Sequence, residues 1–122
     1  MEQTILALMF VFPAMSWANG VNMIDDLLAK DNYATPAWES RGLIPSPPET
    51  IHFMEQTTKQ FLLDLKALSE KSELTEADLR KQIIQLVDDL PWNDLDTEEK
   101  EFLANVLAPA IQSMGFNPWA IF

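Results

Sequence analysis

Three short patterns in the 122-residue chain place side chains at spacings that chemistry uses. Glu49-x-x-His52 is the first. On a helix these two residues lie one turn apart on one face, the arrangement by which helical bundles hold a di-iron centre. A full centre takes a second such motif and two further glutamates. His52 is the chain's single histidine and there is no cysteine. The pattern therefore reads as a surface histidine flanked by Glu49 and Glu55, and no metal or cofactor is expected. Asp94-x-Asp96-x-Glu98 opens like a calcium loop, but such a loop takes Gly at its sixth position and Glu at its twelfth, where this chain has Glu99 and Asn105. A Ser-His-Asp site would take a strained nucleophile turn of the G-x-S-x-G type, which is absent. No catalytic residue is assigned, and the protein is not expected to be an enzyme. With 19 Asp and Glu residues available, paired carboxylates remain the one source of acid–base chemistry.

The third pattern is a concentration of charge. Residues 72–122 carry ten acids against three bases, whereas 19–71 carry eight against five. Seven of those acids fall within 88–101: Asp88, Asp89, Asp94, Asp96, Glu98, Glu99 and Glu101, with Lys100 the single base. Acids in the first turn of a helix favour its positive dipole end by roughly 0.3–1 kcal/mol each, which accounts for Asp96, Glu98 and Glu99. It does not account for Asp88 and Asp89, which close the preceding helix, where the dipole opposes a negative charge. A binding role would explain charge kept at that cost; a solvated surface is the plainer reading. Trp92 sits in the middle of the run. It serves either as a cap on the core between two helices or as an anchor for a basic protein. Asp88, Asp89, Trp92, Asp94 and Glu98 are thus the candidate partner-binding residues. A formal charge of −11 makes a nucleic-acid partner a poor match.

The elements that must position these residues are helical. Val21, Ile24, Leu27 and Leu28 share one face of a short helix over 21–30. Asp31–Pro48 holds four prolines and Gly42 and reads as an ordered loop pinned to the core by Tyr33, Trp38, Leu43 and Ile44. Ser46, Pro47 and Glu49 have the cap, first-turn proline and capping-box positions of a helix running to about Lys71. Its stripe is Ile51, Met54, Phe61, Leu62, Leu65 and Leu68. Thr75 caps the next helix, with Leu74 and Leu79 at the two positions of a hydrophobic staple. Leu79, Ile83, Leu86, Val87 and Leu90 form its buried side, and Pro91 stops it. Asp96 and Glu99 begin the last helix, Pro109 is expected to kink it, and Gly115 ends it in the left-handed region. The aromatic tail 116–122 should pack back on the bundle. No segment alternates as a strand does. The expected fold is all-α: three main helices, a short N-terminal one and a Pro-rich pinned loop.

The chain opens differently. Ile5–Ala18 is an apolar run of 14 residues, short of the roughly 20 that cross a bilayer as a helix. It fits the apolar region of a signal peptide, with Ser16 and Ala18 as small residues before a cut after Ala18. Met1-Glu2-Gln3 lacks the usual basic start. Residues 1–18 are expected to be the signal peptide and 19–122 a single helical domain, periplasmic or secreted; a retained N-terminal helix in a cytoplasmic protein is the alternative.

Arg41-Gly42-Leu43 with Pro45-Ser46, the run Leu95–Glu101 (LDTEEKE) and the ending Asn117–Phe122 (NPWAIF) together resemble a family of small Gram-negative bacterial proteins classed only as a domain of unknown function. The resemblance spans about residues 40–122. Lys100 stands in a position where the family's motif has another basic residue, and the segment before the tail is shorter. The resemblance implies a bacterial, exported helical protein and brings no activity with it. The function expected from the residues is a non-enzymatic protein-binding module, of an immunity or inhibitor kind, whose acidic turn takes a basic protein partner. The alternative is a small carboxylate-dependent hydrolase or sugar-binding enzyme with acids in a cleft under the Pro-rich loop.

Overall fold

The computed structural model describes residues 22–122. The segment Ile5–Ala18, the cut after Ala18, and Val21 lie outside the described residues. From residue 22 onward the chain is all-α, with no strand among the described residues. Helix α1 covers 22–29, α2 Thr35–Ser40, α3 Pro48–Ser69, α4 Glu76–Asp88 and α5 Thr97–Ser113, with 3-10 turns at Trp92–Asp94 and Pro118–Ala120. Helix α3 is the centre: α4 and α5 both pack on it, and the C-terminal 3-10 turn packs on α5.

The apolar stripes meet as their spacing requires. Met54, Phe61, Leu62, Leu65 and Leu68 of α3 are buried with Leu79, Ile83 and Val87 of α4 and with Phe102, Leu103, Leu107, Ala110 and Ile111 of α5. Ile24 and Leu27 of α1 join the same core. Ile51, Leu86, Leu90 and Val106 lie at its edge, half-buried. Thr58 interrupts the α3 stripe yet is buried; its hydroxyl meets the buried Tyr33 hydroxyl at 2.6 Å, so a polar position in the stripe has its hydrogen bond.

Three connections differ from the sequence reading. The Pro-rich stretch contains helix α2, whose six residues are too few for periodicity to register. Pro36 lies in its first turn, where its fixed φ suits a helix and its missing N–H costs nothing. Gly42 ends it at φ +75°. The Gly42 N–H donates to the Glu39 carbonyl at 2.9 Å and the Leu43 N–H to the Trp38 carbonyl at 3.0 Å, both bonds of a Schellman motif. Tyr33 and Trp38 pin the stretch as expected, but Ile44 is 90% exposed and does not.

The second difference is the start of α3. Pro47, not Ser46, is the N-cap, and no side chain caps it. Pro48 takes the first-turn position, which leaves Ser46 one residue too early. Its hydroxyl turns instead to Glu99 of α5. The helix also ends at Ser69, short of Lys71.

The third is the tail. Phe116 and Ile121 are buried and Phe122 is half-buried against the core, but Trp119 is 60% exposed. The tail therefore docks with one of its large rings left in solvent.

The remaining caps follow the residue types. Thr75 Oγ1 accepts from the Asp78 N–H, with Leu79 in the core and Leu74 half-buried against it. Asp96 and Glu99 form both arms of a capping box. Gly115 has φ +96°, and the Gly115 and Phe116 N–H groups donate to Gln112 and Ile111, a second Schellman motif. Helix α5 continues through Pro109 as one element.

Candidate functional site

The five candidate residues sit on the connection from α4 to α5. Asp88 is the last residue of α4 and Asp89 its C-cap, and no basic residue lies in that last turn. Trp92 opens the 3-10 turn that follows. Its indole N–H donates to the Val87 carbonyl at 2.9 Å. The same carbonyl accepts from the Leu90 N–H at 3.1 Å, so the indole is its second donor and the bond ties the ring to the last turn of α4. Asp94 ends the turn and Glu98 lies in the first turn of α5. Asp88, Asp89, Asp94 and Glu98 are all exposed. Among the described residues none of them is ion-paired; the salt bridge found there joins Lys66 to Asp25 at 2.9 Å, and this partner raises the Lys66 ammonium above its ordinary range.

The turn does not gather the five residues into one place. Asp88 and Trp92 line an open depression of about 370 Å³ together with Val87, Lys100, Glu101, Ala104 and Phe122. The Phe122 ring stands edge-on to Trp92, centroids 6.1 Å apart at 88°. Asp89 looks the other way. It accepts from the Gln85 side-chain amide at 2.9 Å and borders a groove between α3 and α4 beside Gln60 and Asp64. Asp94 and Glu98 border neither hollow. They are exposed charges flanking the Trp92 depression along the chain.

Glu101 and Phe122 were not among the candidates and belong to the depression. Glu101 is one of the seven acids of the run, but its direction depends on the phase of α5. Phe122 comes from the far end of the chain, and only the expected return of the aromatic tail hinted at its arrival. Trp92 takes the first of the two roles open to it, a cap on the core, and also borders the surface. It packs on the core through its N–H and one part of its ring, and it lines the surface depression with the rest.

The other patterns fall elsewhere. Glu49 and His52 are exposed at the start of α3. No group of three or more His, Cys, Asp or Glu able to hold a metal ion occurs among the described residues. Between α1 and α3 lies an open hollow of about 340 Å³ in which Asp31 and Glu55 are accompanied by Lys30 and Lys59. Glu99 is the buried carboxylate among the described residues, and both its oxygens are engaged: Oε1 accepts from the Asp96 N–H at 2.9 Å and Oε2 from the Ser46 hydroxyl at 2.5 Å. No described helix is long and apolar enough to cross a membrane.

No protein-family model matches the chain, and no curated protein or solved structure is similar to it. No family is therefore shown for the chain, and the short motifs of residues 40–122 are described by what they do in the fold. Two of them have a physical role here. Arg41-Gly42-Leu43 is the Schellman end of α2, and its guanidinium lies 4.7 Å from the Phe102 ring centre. Leu95–Glu101 contains the capping box of α5.

Proposed function

We propose that this protein is an exported, non-enzymatic binding module that docks a basic protein partner at the corner between α4 and α5, in the manner of an immunity or inhibitor protein. The observation that carries the reading is the pairing of unneutralised carboxylates with an aromatic hollow. Asp88 lines the hollow to which Trp92 and Phe122 contribute ring surface, and Asp89, Asp94 and Glu98 stand exposed on the same connection outside it. Aromatic residues in hollows dominate binding energy at protein interfaces, while surrounding charge selects the partner and speeds its arrival. Two carboxylates at a helix C-terminus lower stability, so a role outside folding explains their presence. Export rests on the apolar segment Ile5–Ala18 with small residues before a cut after Ala18.

The test is capture from an extract of the source organism on immobilised protein. The parent chain should retain a basic protein at 0.1 M salt and release it at 1 M, where the Debye length falls from about 10 Å to about 3 Å. The fourfold variant D88N/D89N/D94N/E98Q should not retain it. Retention indifferent to both salt and the four substitutions removes this corner from the mechanism.

A further inference from the structure

The corner carries more ring surface than an acidic turn alone accounts for. Phe122 lies between two tryptophans: its ring centroid is 6.1 Å from that of Trp92 and 5.6 Å from that of Trp119. Trp119 is 60% exposed, the most exposed aromatic side chain among the described residues. Burying such a ring is worth roughly 1.5–3 kcal/mol, and the tail leaves it in water while its neighbours Pro118 and Ile121 are buried. The three rings form a short row at the surface. Asp88 and Glu101 line the hollow at the Trp92 end of that row.

We infer that this aromatic row with Asp88 and Glu101 is the seat for an arginine side chain presented by the basic partner, an inference that rests on the binding reading above. Charge complementarity names the occupant: two carboxylates against the single ammonium of Lys100, in a chain of formal charge −11. The rings narrow it further. The Trp92 indole N–H is engaged by Val87, so what Trp92 offers the hollow is ring carbon, and Phe122 offers nothing else. A guanidinium is planar, weakly hydrated and stacks on such faces while its edge donates to carboxylates; an ammonium is compact and strongly hydrated and matches only the carboxylates. The protein already makes one such contact internally, with Arg41 over Phe102 at 4.7 Å. Lys100 at the rim opposes any cation, which raises the share of the attraction that must come from the rings and disfavours a lysine further.

The experiment is a titration of the full chain with a blocked arginine tripeptide, acetyl-Gly-Arg-Gly-amide, followed by the indole N–H resonances of Trp92 and Trp119, with that of the buried Trp38 as internal control. The arginine peptide should shift Trp92 and Trp119 saturably and leave Trp38 still. The lysine counterpart should bind about three- to tenfold more weakly, the range a desolvating ring contact gives. D88N and E101Q, both at exposed positions, should each weaken the arginine peptide several-fold, and K100Q should tighten it. Phe122→Leu keeps bulk while removing one ring, and should narrow the preference for arginine over lysine. Equal affinity for the two peptides in the parent chain, or shifts confined to residues away from Trp92, would overturn the arginine seat. If either result accompanies salt-dependent capture of a basic protein, the binding reading stands and the arginine assignment falls.

Discussion

Glu99 shows how a single carboxylate can hold two distant parts of this chain together. Its backbone N–H and one oxygen complete the capping box with Asp96, and its other oxygen takes the Ser46 hydroxyl from 53 residues earlier. Hydrogen bonds to a charged group contribute about 1.5–3 kcal/mol, which ties the Pro-rich segment to the start of α5. The local half of this arrangement was legible, because Asp96 and Glu99 stand three apart. The distant half was not: Ser46 has the residue type and spacing of a cap for α3, and only the position of the second proline, which shifts the cap to Pro47, frees it for Glu99. Tyr33 and Thr58 form a further buried polar contact. Burial raises the Tyr33 hydroxyl well above its ordinary value of 10.0, with a smaller push from Glu55 and an opposing one from the Thr58 hydrogen bond. A phenol whose pKa is raised on folding gives stability that is complete below pH 10 and falls above it, because the unfolded chain ionises first; the slope is about 1.4 kcal/mol per pH unit. Tyr33 is the chain's single tyrosine, so phenolate absorbance reports it alone. Absorbance should rise only as the protein unfolds, above pH 10. Tyr33→Phe should remove that part of the alkaline loss while costing about 0.5–1.5 kcal/mol at neutral pH through the lost hydrogen bond. A phenolate forming near pH 10 with the fold intact would contradict this account of the site.

At the scale of elements, legibility follows length. The stripes of α3, α4 and α5 are long enough for periodicity to register, and the N-caps of α4 and α5 are side-chain chemistry within three residues, whereas α3 has no side-chain cap. Helix α2 was not legible, because six residues between prolines make one turn and a half and the deciding contacts, Trp38 to the Tyr33 carbonyl and Trp38 against Phe102, come from packing. The tail was half legible. Its apolar content predicts docking, but which of its rings would be left outside depends on the 3-10 turn at Pro118–Ala120 that turns Trp119 out and Ile121 in. A clean separation follows. Deleting Ile121 and Phe122 removes apolar burial of about 2–4 kcal/mol. For a domain near 100 residues each kcal/mol moves the melting temperature by about 4–8 °C, so the midpoint should fall by about 10 °C or more. Trp119→Ala should leave it within about 3 °C. A melt unmoved by the deletion would mean that the tail does not hold the bundle, and a large drop from Trp119→Ala would mean that its ring is not free for a partner.

Over the whole molecule, charge and fold are arranged on different principles. The core is a single apolar cluster centred on α3, while the acidic excess lies in the second half of the chain and peaks at the junction of α4 with α5. The concentration of charge was legible from composition along the chain. Its division was not: whether Asp88 and Asp89 face one hollow or two is set by the rotation of α4 against α3 and α5, and the fold sends them to opposite sides. The most direct measurement of the binding account is the association rate of the captured basic partner with the parent chain and with D88N/D89N, across roughly 0.05–0.5 M salt, about one decade of ionic strength over which the Debye length shortens about threefold. The account predicts slower association for the variant at low salt, convergence of the two at high salt, and a slightly more stable variant, since unfavourable charge leaves the C-terminus of α4. Association of equal speed for both proteins at every salt concentration would contradict it.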